Sequence, residues 1–384
     1  MPHVYLDHNA TSPLLECAAR AMRDAVRGAR GNPSSVHRAG REARRVLEEA
    51  RGSLARCIGG APGGLVLTSG ATEGNNLALH GLFPCAEAAA PVRGTVVTTA
   101  AEHASVRAPC DRLRRRGHTI SVLPVAPDGT VARERVRDSL AGDARLLSIQ
   151  LANPETGVIQ PIAELAAEAR RAGVVMHVDA AQALGRIPVD VEALGVDLLT
   201  LSAHKLGGPV GVGALWVREG LKLAAWIEGG GQEGGRRGGT ENVVGAVGFA
   251  AAAVAARDIA RMAALRDRLE EGLCAAWPGA VVHGAGAPRL PNTTCIGFPG
   301  LDGPFALARL DLEGIAASLG SACSIGTMRP SPVLLAMGVP ADLARASLRF
   351  SLGPGTRPDE IDRTLEVFAG GVAPSARATA GVVR

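Results

Sequence analysis

Only two of the 41 basic side chains in this 384-residue sequence are lysines, Lys205 and Lys222. Nearly every position that asks only for positive charge carries arginine, so a lysine that survives the bias calls for a chemical reason. Arginine stays protonated in a protein, whereas a buried lysine amine can be tuned toward neutrality and then attack a carbonyl to form a Schiff base. Lys222 reads as a solvated surface charge. Lys205 lies in SAHKLGGP, directly after the apolar run DLLTLSA and beside Ser202 and His204. Three more apolar runs end on polar groups. LVLTS enters SGATEGNN, where Gly70, Ala71 and Thr72 open a helical pattern whose amide N–H groups suit a phosphate. TVVTTA is followed by Glu102 and His103, and VVMHVDAAQ ends at Asp179 with Gln182 three residues on.

Singly, each of these has a plainer reading: helix capping at 70–72, a satisfied structural histidine at 103, a loop cap at 179. Together they bring a phosphate cradle, an imidazole, a carboxylate and a reactive amine to strand ends, which are the parts of a pyridoxal phosphate site. A carboxylate such as Asp179 must face the ring nitrogen, and Lys205 can carry the aldehyde carbon and then move protons. The Gly70 to Thr72 turn, Ser202 and His204 offer donors to the phosphate, and His103 can stack on the ring.

The elements that must position these residues follow from periodicity. LVLTS, TVVTTA, TISVLPV, RLLSIQLA, VVMHVDA, DLLTLSA and VGALWV read as strands, with helical stretches between them such as Ala71 to Leu82, Ser105 to Gly117 and Ile162 to Gly173. The strands are almost continuously apolar, the pattern of a mostly parallel seven-stranded sheet covered on both faces, where ligands sit at the carboxyl ends of strands. Helices are expected near Pro13 to Arg27 and Ser34 to Cys57, then one long helix from Thr240 to Trp277. A C-terminal α+β part has strands near Thr293 to Gly297 and Ser347 to Ser351, and helices near Pro304 to Leu310, Pro330 to Met337 and Pro358 to Ala369. The expected division is a large α/β cofactor domain over 13–260 and a smaller domain formed by 1–12 and 261–384.

Composition narrows the function classes. A chain of this length that is 47% hydrophobic buries a substantial core, and a formal charge of +4 with 3% aromatic residues is a poor nucleic-acid signature. The basic knot at Arg112, Arg114, Arg115 and Arg116 reads as a solvated helix end. Neither a P-loop nor a strand followed by G-x-G-x-x-G occurs, which argues against a nucleotide or nicotinamide enzyme. The start lacks a secretion signal, and the apolar run from Gly245 to Ala256 is too short to span a bilayer. Seven cysteines without a C-x-x-C argue against a disulfide framework and a structural zinc, so the expected setting is a reducing cytoplasm with no metal. Cys57 and Cys295 sit among apolar neighbours as inert packing, whereas Cys323, in GSACSIGTMRPS, reads as an exposed loop thiol.

Over nearly its whole length the chain resembles the cysteine desulfurases of the class V aminotransferase family, in the branch that supplies sulfur for iron–sulfur clusters and other products. The resemblance rests on YLDHNATSPL, GNPSSVH, LTSGATEGNN, EHASV, HVDAAQALG, LSAHKLGGPVGVGAL, GGGQEGGRRGGTEN, GSACS and LRFSLG, in that order. It implies pyridoxal phosphate fold type I, with Lys205 holding the cofactor, Asp179 on its ring nitrogen and Gln182 on its ring oxygen. Ala71, Thr72, Ser202 and His204 would hold the phosphate, and Thr240 would reach the phosphate of a partner subunit in a homodimer. His103 would stack and assist proton transfer, Arg349 would bind the substrate carboxylate, and Cys323 would accept sulfur from L-cysteine as a persulfide for delivery to an acceptor protein.

Two positions depart from the family pattern. Pro154 in ANPETG stands where a second asparagine would bond the ring oxygen, so Asn153 compensates, Gln182 suffices, or electron withdrawal is weaker here. Gly234 stands where an arginine often follows GGGQE. Three other readings stay open at this point: a different pyridoxal phosphate enzyme with no need of a thiol, a selenocysteine lyase, and a non-catalytic homologue acting as a binding or regulatory subunit.

Overall fold

A computed structural model of the chain describes residues 3–84, 94–255, 257–320 and 329–372. The N-terminal strand β1 (Val4–Tyr5) precedes a seven-stranded sheet made of β2 (Leu65–Thr68), β3 (Thr95–Thr99), β4 (Thr119–Leu123), β5 (Ala144–Gln150), β6 (Val175–Asp179), β7 (Leu198–Ser202) and β8 (Gly213–Val217). Their order is β2-β8-β7-β6-β5-β3-β4, and all neighbours are parallel except those of β8, which runs against both β2 and β7.

The apolar runs work because alternate residues serve opposite faces. Leu65, Leu67, Val97, Leu147, Ile149, Met176, Val178, Leu199 and Leu201 pack under helices Arg38–Cys57, Ile162–Ala172 and Val243–Val254. Val66, Val96, Leu146, Leu198 and Leu215 pack against helices Ala71–Leu82 and Ala104–Arg115. Both faces are covered, so no polar alternation is needed.

A second apolar cluster joins Val4 and Leu6 to Leu265, Leu269, Phe298, Leu348, Phe350 and Phe368. It is built on β9 (Val281–Val282), β10 (Thr293–Gly297) and β12 (Ser347–Ser351), with β10 antiparallel to both of its neighbours, while β11 (Ile315–Ala316) pairs in parallel with β1.

The long helix expected from Thr240 to Trp277 is two helices, Val243–Val254 and Ile259–Ala276, bent by 79°. The reason lies at Asp258, whose carboxylate accepts the Arg261 N–H at 2.9 Å and starts the second helix as an N-cap. The helix expected from Ser34 begins only at Arg38, where His37 accepts the Gly40 N–H. That expected near Pro13 begins at Glu16, with Leu15 in extended conformation at φ −68° and ψ 143° as its N-cap residue. Among the described residues no single helix is long and apolar enough to cross a membrane.

Candidate active site

The carboxyl ends of β2, β3, β5, β6 and β7 open into one cavity of about 760 Å³. Gly70, Ala71, Thr72, His103, Asp179, Gln182, Ser202, His204, Lys205 and Arg349 all line it, so it gathers most of the residues singled out from sequence. Lys205 stands on the short turn His204–Leu206 after β7. The chain turns sharply there because Gly207 takes φ 84° in the left-handed region, where a Cβ would also stand 2.6 Å from Leu15. The Lys205 Nζ donates to the carbonyls of Asn9 at 2.6 Å and Ala10 at 2.8 Å. Burial, reinforced by Arg186 and Arg349 and opposed by Asp7 and Asp179, lowers its pKa to about 8.

Asp179, at the end of β6, is oriented from two sides. Its Oδ1 accepts the Ala181 N–H at 3.0 Å, and its Oδ2 accepts Asn75 Nδ2 at 2.7 Å. The same Asn75 amide donates to Ser105 Oγ at 2.8 Å, and Ser105 lies 2.8 Å from His103 Nδ1. Since the Ser105 N–H also donates to that nitrogen, Nδ1 accepts and the ring proton of neutral His103 sits on Nε2. Burial lowers the His103 pKa, with Asp179 pulling the other way. His204 is likewise held neutral, its pKa lowered to about 4 by burial, Lys205 and Arg186.

At the phosphate end, Gly70 gives the helix Ala71–Leu82 no side-chain cap, which leaves the first-turn amides to an outside acceptor. Ser202, on the last residue of β7, and His204 stand beside that end in the cavity wall. At the other end, Arg349 of β12 is almost fully buried. Its Nη2 donates to Asp7 Oδ1 at 2.6 Å, and its Nη1 to the carbonyls of Pro154 at 3.2 Å and Gly320 at 3.1 Å. Its Nε has no partner among the described residues.

Not every expected residue reaches the cavity. Asn153 does not line it: its Oδ1 accepts the amides of Glu155 and Thr156 at 2.8 and 2.9 Å, and its Nδ2 donates to Ala101. The side chain is consumed by its own turn, so the compensation for Pro154 that sequence allowed is not supplied by Asn153. Gln182 does line the cavity, with Nε2 on the Asn9 carbonyl and Oε1 accepting from Arg186. Thr240 is exposed and lies outside the cavity, in a separate hollow shared with Ser69 and Arg237. Cys323 lies outside the described residues. Cys295 is fully buried and its thiol is pushed up to about 12, the inert packing expected of it.

Several groups to which the sequence assigned no role are brought here by the fold. Arg186 is buried and donates to the carbonyls of Lys205 at 2.9 Å and His8 at 3.1 Å, tying the lysine turn to the N-terminal segment. Asn9 joins the Pro154 carbonyl, Thr293 and Gln182. Glu102, next to His103, is 2% exposed; burial raises its pKa to about 8, while Thr99 and the Gln150 N–H act against this. Glu102 was visible in the sequence as the neighbour of His103, Asn9 lies within YLDHNATSPL, and Arg186 directly follows HVDAAQALG.

The chain matches the family model described as aminotransferase class V over residues 4–364. It is 44% identical to a cysteine desulfurase from Cereibacter sphaeroides over 372 residues, 96% of this chain and 95% of that one. Among solved structures it resembles a NifS-like protein with a TM-score of 0.87 at 34% identity, covering 95% of this chain and 98% of the other. It also resembles SspA in complex with cysteine, with a TM-score of 0.81 at 30% identity over 91% of this chain and 99% of the other.

Proposed function

The chain belongs to the class V aminotransferase family, and from that premise we propose that it is a pyridoxal-phosphate-dependent cysteine desulfurase, converting L-cysteine to L-alanine with Cys323 as the sulfur acceptor. The observation that carries the reading is the convergence of Lys205, Asp179, His103 and Arg349 on one cavity. The residues fit the cofactor: a depressed lysine amine, an oriented carboxylate, and an uncapped helix start with Ser202 and His204 beside it. When bound, pyridoxal phosphate supplies an electron sink for bonds at the α-carbon of an amino acid.

Lys205 would hold the cofactor and, with a pKa of about 8, is able to take or give a proton near neutral pH. Asp179, kept in place by Asn75, would be the counter-charge to the ring nitrogen, and neutral His103 would cover the ring face. Ala71, Thr72, Ser202 and His204 would hold the phosphate. Arg349 would exchange its bond to Asp7 for a two-point grip on the substrate carboxylate. The sulfur of L-cysteine leaves carbon for the Cys323 thiol while that carbon gains a proton. L-Cysteine and a thiol thus become L-alanine and a persulfide, with no outside oxidant. The homodimer completed by Thr240, the cytoplasmic setting, an acceptor protein serving iron–sulfur clusters or another sulfur-containing product, and the division into 13–260 and 1–12 with 261–384 belong to the same proposal.

The test is release of alanine and sulfide from L-cysteine in the presence of a reductant. The parent should release both in equal amounts. Cys323→Ser should keep its cofactor but lose turnover by about a hundredfold or more, the scale of removing a nucleophile. Equal alanine release from both proteins would instead identify a thiol-independent lyase.

A further inference from the structure

The Gly-rich segment GGGQEGGRRGGTEN is joined to the turn before the phosphate-binding helix through an ion pair that the reaction does not use. Glu73 occupies the first turn of the helix Ala71–Leu82, beside the amides that would receive a phosphate. Its Oε2 accepts the Ser69 N–H at 2.8 Å, and its Oε1 accepts Arg237 Nε at 2.9 Å. The pair is shielded from solvent, with side-chain exposures of 22% for Arg237 and 8% for Glu73. Burial alone would push the Glu73 carboxyl up, but the bonds from Arg237 and Ser69 outweigh it and hold the group below its ordinary range. Glu73 is therefore an anion placed at the same positive helix end that a phosphate dianion would use.

We propose that Arg237 is a positioning residue for the cofactor phosphate: it cancels the charge of Glu73 while leaving that carboxylate to hold the Ser69 amide. Two jobs that conflict are thereby separated. Glu73 shapes the turn Ser69–Gly70 by reaching back to an amide ahead of the helix, as the acid of a capping box does. Arg237 removes the repulsion that this acid would otherwise exert on the phosphate. The assignment rests on the reading above that the phosphate sits at Ala71 and Thr72.

The experiment titrates the full-length, cofactor-free protein with pyridoxal phosphate and, in parallel, with pyridoxal, which lacks the phosphate, following absorbance. Arg237→Gln should weaken pyridoxal phosphate binding by about three- to tenfold, the range open to a partly shielded charge at a helix end, and leave pyridoxal within about twofold. Adding Glu73→Gln to Arg237→Gln should restore the phosphate-bearing ligand to within about twofold of the parent, because the glutamine oxygen still accepts the Ser69 N–H. Equal weakening of both ligands, or no recovery in the double variant, would mean that the pair only shapes the loop and would overturn the assignment. Unchanged affinity in Arg237→Gln would do the same. A parent that binds neither compound would overturn the proposed function, and the assignment with it.

Discussion

Two buried carboxyls beside the same imidazole are held in opposite ways. Asp179 receives two N–H donors, whereas Glu102 receives Thr99 Oγ1 at 2.7 Å and the Gln150 N–H at 3.1 Å on Oε1, and its Oε2 has no partner among the described residues. Burial, with the like charge of Asp179 adding to it and Arg107 opposing, keeps Glu102 protonated up to about pH 8 against an ordinary 4.5. An unfolded chain ionises this group from about pH 4.5, so its contribution to stability falls as pH rises from there to about 8 and is level above. Glu102→Gln has no such loss. In melts of the cofactor-free protein, the variant should gain on the parent across that window by roughly 2–4 kcal/mol and then run parallel. Parallel curves over the whole range would show that Glu102 ionises normally. The sequence pattern brought Glu102 to notice only as the neighbour of His103, because neither burial nor the approach of Asp179 is written in EHASV.

At the scale of elements, the Gly-rich segment is pinned a second time, and the pin distorts the backbone. Glu233 is the one non-glycine residue with positive φ among those described, at φ 50° and ψ 35°. It is held there by Arg51, whose Nη1 and Nη2 donate at 2.7 and 2.9 Å, and by the Leu67 N–H at 2.9 Å. The segment is thus fastened to helix Arg38–Cys57 and to β2. Glu233→Gln would leave the buried Arg51 with only the exposed Glu48 as counter-charge among the described residues. We expect a loss of about 2–4 kcal/mol in denaturant unfolding. A loss below about 1 kcal/mol would mean that the pair does not hold the segment. The run of glycines in the sequence announces a loop but not its anchors, since Arg51 lies 182 positions and Leu67 166 positions from Glu233. The same limit explains the helix drawn through Thr240 to Trp277. Alanine-rich composition continues the helical pattern past residue 254, and only the backbone shows that it stops there, where Ala255 is extended, and restarts at the Asp258 cap.

At the scale of the whole molecule, Thr240 sits outside the cavity of its own chain and is exposed, and the proposed function gives it a place in another subunit's site. Sedimentation should therefore give a particle of twice the chain's 39.2 kDa. A monomer with full turnover would remove Thr240 from the site. The sheet and the pyridoxal phosphate chemistry were legible from residue types and their order. Strands buried on both faces must be continuously apolar, and in a chain that uses arginine nearly everywhere Lys205 stands where the proposed chemistry asks for a neutralisable amine. His103 and Asp179 came to notice through their types at strand ends, and Arg349 through the family resemblance that LRFSLG carries. The tertiary structure alone decided that Asn153 turns into its own loop, that Arg186 supports the Lys205 carbonyl, that Asn75 links Asp179 to Ser105, and that Arg237 faces Glu73. Those outcomes depend on side-chain direction, burial and contacts between distant segments, and local pattern constrains none of the three.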